Sequence, residues 1–215
     1  RHAIGLLDVA TMAADDPAKA ESAARSGEVL VRAIEKKLTA RQILTKKAFE
    51  NAISVVMATG GSTNAVIHLL AMAGRIGVDL TLDDFDVHSR GVPLLANLQP
   101  SGQYFMEDFY YAGGLPALMR EMGDMLHPAI TVNGRPITDN AQEFDNYNKA
   151  IIGDLEQPIN SLSGIVVVKG NLAENGAVIK TSAATPELLK HRGRAVVFEN
   201  IEDYHARIDD PALDI

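Results

Sequence analysis

Met57-Ala58-Thr59-Gly60-Gly61-Ser62-Thr63-Asn64 runs straight into Ala65-Val66-Ile67-His68-Leu69-Leu70-Ala71-Met72-Ala73. The second stretch has almost no polar face, and a helix that is apolar all round belongs in a core. It is expected as a buried helix with Thr63 or Asn64 at its N-cap. Gly60 and Gly61 leave the preceding backbone free to take positive φ and let another group approach closely. A helix that starts beneath such a turn presents free backbone N–H groups, two hydroxyls and an amide, which together suit a carboxylate or phosphate. The turn is not a P-loop, since no Gly-Lys-Ser/Thr follows, and it lacks the GxGxxG of a dinucleotide fold. A phosphate-binding enzyme would place a basic residue at the turn, and none stands within several residues of Gly60.

Outward from the turn, the upstream chain reads as helix upon helix. Asp16-Pro17 has the form of an N-cap and first helical residue for 18–37, where Val29, Leu30, Ala33 and Ile34 lie at helical spacing. Thr39 and Gln42 match a capping box, and Thr45 caps a run carrying Ala48, Phe49, Ala52, Ile53 and Val56. The apolar start at Ile4 to Ala10 has no capped beginning, so the chain is expected to open in mid-element, as a fragment would.

Downstream, Thr81-Leu82-Asp83-Asp84 is shaped like a helix start. Asp83, Asp84 and Asp86 suggest a cation site, but acids in a first helical turn are favoured by the dipole without any metal. His88 reads as a surface residue. Val92 to Ala96 is expected as a short strand. Gly113-Gly114 precedes a second apolar helix, and Phe105, Phe109, Tyr110 and Tyr111 read as core or subunit interface. Asn133-Gly134 is a hairpin signal, and 139–163 is polar and irregular. The β-rich segments 164–170 and 176–180 follow, joined by a turn at Glu174-Asn175-Gly176. Thr185-Pro186 opens a short helix, Arg194 to Phe198 reads as a strand, and Asn200 caps a helix through Ile208.

The 215 residues are 47% hydrophobic and 22% charged, enough to bury a real core in one or two domains. A net charge of -8 argues against nucleic acid as a partner, and no apolar stretch reaches membrane-spanning length. Without a signal peptide in view, the expected location is cytoplasmic. There is no cysteine, so no thiol nucleophile and no cysteine-held iron–sulfur site can be built from this chain alone.

The stretch from Met57 to Asn64, with His68 and Leu69, resembles the signature of the dihydroxy-acid and sugar-acid dehydratases, the family that includes 6-phosphogluconate dehydratase. Leu80 to Phe85, Pro100-Ser101-Gly102, Ala112 to Ala117, Gly170 to Ala173, Gly176 to Lys180 and Leu188 to Gly193 resemble further blocks of that family, in its order. The sequence from Met106 to Gly114 and Tyr147-Asn148 look more like the sugar-acid branch than the branched-chain amino-acid enzyme.

The resemblance implies an α/β fold: the end of a large N-terminal α/β domain (1–140), a linker (141–163) and the start of a C-terminal β-barrel-like, swivelling domain (164–215). It implies dehydration of an aldonate such as arabinonate or xylonate to a 2-keto-3-deoxy acid. The alternatives are the dihydroxy-acid dehydratase of branched-chain amino-acid synthesis, or a cluster-free homologue acting as an interaction domain. An iron–sulfur cluster of the 2Fe-2S type and Mg2+ are implied, with ligands outside this chain and no metal ligand in it. So are a sugar-acid substrate and a homodimer or homotetramer. No catalytic residue is assigned, and Ser62, Thr63 and Asn64 are the candidate substrate-binding residues. His68 reads as a core histidine, and Lys180 and Ser182 as rim residues near the domain junction.

Overall fold

The computed structural model describes residues 12–213, so the expectation for Ile4 to Ala10 lies outside the described residues. α1 (Ala18–Glu35) begins where the Asp16 carboxylate accepts a hydrogen bond from Ala18 N at 2.9 Å, as its Asp-Pro start implies. Its apolar residues stay largely in solvent: Leu30, Val31 and Ile34 are exposed, while Ala33 is buried. α2 (Ala40–Ile43) is closed by the capping box, with Thr39 N donating to Gln42 Oε1 at 2.7 Å.

α3 (Lys46–Thr59) is the element the others surround. Thr45 Oγ1 accepts from Ala48 N, and Phe49, Ile53, Met57 and Ala58 are buried along its length. Asn51 is also buried, and its amide is satisfied from both sides by the His127 backbone, donating to O at 2.8 Å and accepting from N at 2.7 Å.

α4 (Asn64–Ile76) is not the buried helix its composition suggests. Val66, Leu69 and Ala73 face inward, whereas Ile67 is 67% and Met72 46% exposed. The reason is position: α3 has α4 on one side and α5 (Leu82–Gly91) on another, while α4 is covered along one stripe. α5 carries the fully buried Phe85 into the core.

α6 (Met106–Tyr111) leads into α7 (Gly114–Met122) through Gly113 at φ 112, where a Cβ would overlap the Asp145 carbonyl oxygen. α8 (Ile137–Ala141) packs on α7, just after the tight turn at Asn133-Gly134 that the Ile130–Pro136 bridge closes. The strand expected over 92–96 is instead a buried connection with isolated bridges, Leu94 to Asn160 and Ala96 to Ile152. Its Leu95 and Ala96 N–H groups both donate to Ala58 O, at 2.8 and 3.1 Å, so α3's end takes hydrogen bonds that a ladder would have used.

β1 (Val166–Gly170) and β2 (Ala173–Ile179) form an antiparallel pair that packs on α5. Its register runs Val166 to Ile179, Val167 to Val178 and Val168 to Ala177, then slips to Gly170 opposite Ala173. The reversal therefore lies at Asn171-Leu172, not at Glu174-Asn175-Gly176. Those three residues sit inside β2 at the slip, where Gly176 at φ 95 supplies the bulge conformation.

The chain divides after Ala183 into two compact units. The second holds a 3-10 turn, Pro186–Leu188, and α9 (Ile201–Arg207), capped by Asn200 Oδ1 accepting from Asp203 N at 2.8 Å. The expected strand at 194–198 is irregular chain, because its unit offers no second strand among the described residues. Phe198 packs instead under the Arg207 guanidinium, 5.1 Å from the ring centre. The whole is a mixed α/β chain with a small antiparallel sheet, as the fold class anticipates.

Candidate substrate-binding turn

α3 ends in a paired cap: Gly60 N donates to Met57 O at 3.2 Å and Gly61 N to Val56 O at 3.0 Å, with Gly60 left-handed at φ 62. Thr59 Oγ1 folds back onto Val55 O at 2.8 Å. The chain then re-enters helix within a few residues, which places the next helix start beside the last helix end. Thr63 is already αR and its hydroxyl caps nothing: the Ala65 and Val66 N–H groups donate to the Ser62 and Thr63 carbonyls at 2.9 and 3.1 Å, and Asn64 N donates to Ser62 Oγ at 3.2 Å. Ser62, not Thr63 or Asn64, thus supplies the local cap. The Thr63 hydroxyl and the Asn64 amide hold no hydrogen bond among the described residues, and Asn64 is exposed.

The turn has a second wall. Gly164 lies so close that a Cβ on it would overlap Gly60 Cα, and a Cβ on Gly60 would sit 2.8 Å from Leu94 Cδ1 and 3.9 Å from Ser182 Oγ. The two ends of the β1–β2 hairpin are tied together at this wall, Thr181 Oγ1 donating to Ser163 O at 2.9 Å and Ser182 Oγ to Gly164 O at 3.4 Å. Buried Ser163 donates to Ile165 O at 2.9 Å and lies 3.1 Å from Met57 Sδ. Ser182 therefore belongs beside the Gly-Gly turn rather than at a rim, with half-buried Lys180 two residues ahead of it. Only a partner at long sequence separation brings Ser182 there, and no local pattern announces it.

His68 departs from its expected place. It is exposed, and it lines an apolar groove of about 350 Å3 with Val55, Val56, Leu69, Met72 and Met119. His88 departs in the other direction: it is half-buried, with Nδ1 2.9 Å from the Oγ of buried Ser54. Burial holds its pKa below the ordinary value, His127 and Lys46 adding to the effect and Glu50 and Asp84 opposing it. The three acids of α5 each have a cation: Asp83 pairs with Lys169, Asp84 with Lys46 and Asp86 with Arg90. Asp83 and Asp84 tie α5 to other elements, and Asp86 pairs one turn along α5 itself.

The turn is thus a set of neutral donors at a helix start, able to hold a carboxylate and hydroxyl oxygens. Residues 3–140 match the family model described as dihydroxy-acid/6-phosphogluconate dehydratase N-terminal, and residues 150–214 match its C-terminal counterpart. The chain belongs to the dihydroxy-acid/6-phosphogluconate dehydratase family. Among its relatives is an L-arabinonate dehydratase of Rhizobium leguminosarum bv. trifolii (strain WSM2304), 52% identical over 193 residues, which cover 88% of this chain and 33% of that protein. An L-arabonate dehydratase of Azospirillum brasilense is 53% identical over 194 residues, again 88% of this chain and 33% of that protein. A dihydroxy-acid dehydratase of Methanosarcina barkeri (strain Fusaro / DSM 804) is 45% identical over 205 residues, 93% of this chain and 37% of that protein. The chain spans about a third of the length of these dehydratase relatives.

The residues present do not fit the family's implied iron–sulfur cluster or divalent metal. The chain has no thiolate to offer, and among the described residues no three His, Asp or Glu side chains converge. No helix among those residues is long and apolar enough to cross a membrane.

Proposed function

We propose that this chain contributes to a hydro-lyase that dehydrates a 2,3-dihydroxy sugar acid of the arabinonate or xylonate class to a 2-keto-3-deoxy acid. The observation that carries the reading is identity of 52% and 53% over 88% of the chain with proteins named as L-arabinonate and L-arabonate dehydratases. In the reaction the C2 proton is removed and the C3–O bond breaks, giving an enol that tautomerises to the 2-keto acid. The part assigned to this chain is binding. The Thr63 hydroxyl and the Asn64 amide donate to carboxylate and hydroxyl oxygens of the substrate, with Ser62 shaping the turn and the α4 N-terminus favouring the anion. No proton transfer is assigned to these residues.

The domain reading that accompanies it keeps 1–140 as the end of the N-terminal α/β domain, 141–163 as a linker and 164–215 as the start of a β-barrel-like, swivelling domain. The N-terminal family match, ending at 140, supports the first boundary, and the C-terminal match runs from 150 to 214. The location is cytoplasmic and the assembly a homodimer or homotetramer. The iron–sulfur cluster and Mg2+ of this reading take ligands from outside the chain, and no step is derived through them.

The test is made on the full-length gene product purified without oxygen. Iron and sulfide are measured, and 2-keto acid formation is followed from L-arabinonate, xylonate and dihydroxyisovalerate. Turnover of one aldonate supports the reading. Turnover of dihydroxyisovalerate alone replaces it with the branched-chain enzyme, a reading favoured by the 45% identity to the archaeal protein. Absence of any turnover beside an active relative leaves a cluster-free interaction domain.

A further inference from the structure

The chain contains two Asn-Gly pairs, Asn133-Gly134 and Asn175-Gly176, and the fold treats them in opposite ways. Asn-Gly is the dipeptide in which the following backbone nitrogen, unhindered by a Cβ, can reach the asparagine side-chain carbonyl. At Asn133 both reacting groups are held. Oδ1 accepts from Thr131 Oγ1 at 2.8 Å and from Arg135 N at 2.9 Å, and Nδ2 donates to Asn140 Oδ1 at 3.0 Å. The would-be nucleophile, Gly134 N, donates to Thr131 O at 2.9 Å. Thr131 is 1% and Asn140 7% exposed, so the frame that holds the amide is itself buried. Donors on Oδ1 also polarise the carbonyl, but attack requires the carboxamide to turn over Gly134 N, and that motion breaks the bonds that polarise it.

At Asn175 the carboxamide is not held in this way. Its side chain is exposed and holds no hydrogen bond among the described residues, and it sits where the β1–β2 register slips. Gly176 is at φ 95, a conformation that excludes a side chain there without strain. We propose that Asn175-Gly176 is a site of spontaneous deamidation in the folded protein and that Asn133-Gly134 is protected by its hydrogen bonds.

The step balances with water as the only co-reactant. Gly176 N attacks Asn175 Cγ, the N–Cγ bond forms and the Cγ–Nδ2 bond breaks, and ammonia leaves carrying the amide proton. Water then opens the five-membered imide. Attack at Cγ gives aspartate, and attack at the main-chain carbonyl gives isoaspartate, which adds a methylene to the backbone of β2. Either product adds a negative charge beside Glu174.

The full-length protein is aged in mildly alkaline buffer, and its peptides are mapped by mass with isoaspartate detected by enzymatic methyl-acceptor labelling. A parallel sample is aged in denaturant. The expected result is that the peptide with Asn175 converts in the native protein while the peptide with Asn133 stays intact, and that both convert in denaturant. Asn175→Gln is expected to abolish the native isoaspartate signal. Conversion at Asn133 as fast as at Asn175 in the native protein overturns the protection, and a native Asn175 that stays intact while its denatured counterpart converts overturns the site.

Discussion

Gly60 and Gly164 meet backbone to backbone: a Cβ on Gly164 would overlap the Cα of Gly60. The contact fixes the Gly-Gly turn against the strand hairpin, so the turn's shape depends on a residue more than a hundred positions away in sequence. Gly164→Ala forces one backbone to give way, and overpacking of this kind costs about 1–3 kcal/mol. Gly170→Ala is the control, since nothing lies within 4 Å of a Cβ there. Urea unfolding of the full-length protein should show a lower midpoint for the first variant and little change for the second. Equal losses would mean that the close approach is not what costs.

Ser62 and Asn64 separate by readout. Ser62→Ala removes the acceptor for Asn64 N, a loss worth about 1 kcal/mol at a helix start, and should lower the unfolding temperature. Asn64→Ala and Thr63→Val break no hydrogen bond of the fold, so stability should stay within about 0.5 kcal/mol while KM for the aldonate rises. Normal turnover and affinity in the Thr63→Val, Asn64→Ala double variant would remove these residues from the site.

The caps of α1, α2, α3 and α9 were legible because Asp16, Thr39, Thr45 and Asn200 act within three residues of themselves. What sequence reading missed was set by partners far away. α4 looks buried by composition, but composition says how much surface a helix can bury, not whether a neighbour covers it. His88 finds Ser54 across an intervening helix and Ser182 finds Gly164 across the strand hairpin, and nothing near them in sequence marks the pairing. The Asn175-Gly176 pair looked like a hairpin turn and became a bulge, because the reversal was taken by Asn171-Leu172. The turn itself was readable, since its glycines, hydroxyls and amide are contiguous.

Asp84 joins the starts of two helices. Its Oδ2 accepts from Thr81 N at 2.8 Å and its Oδ1 from Lys46 Nζ at 2.5 Å. Burial raises its pKa, but Lys46 and the Thr81 bonds together outweigh that and leave it below the ordinary carboxylate value. A lowered folded pKa means that the contribution is present above the unfolded value and is lost as pH falls through the folded one. Asp84→Asn should therefore destabilise the protein near neutral pH, by about 1 kcal/mol for a partly exposed pair, and the difference from wild type should shrink in acid. Unfolding midpoints at neutral and acid pH check it.

His88 gives the complementary test near neutral pH. Its folded pKa lies below the unfolded value of 6.5, with burial against Ser54 as the main cause. In the unfolded chain the ring takes up its proton as pH falls through that value, while in the folded chain it resists. The unfolded state binds more protons across that window, so acidification costs stability. His88→Gln keeps a polar partner for Ser54 and removes the titration, and the 2.9 Å pair of His127 with Glu50 is present in both proteins. Between about pH 8 and about pH 5 the wild-type unfolding midpoint should fall more steeply than that of the variant. If the wild type instead gains on the variant as pH falls, Glu50 and Asp84 outweigh burial at this ring, and the packing of α5 on α3 tolerates a charged His88.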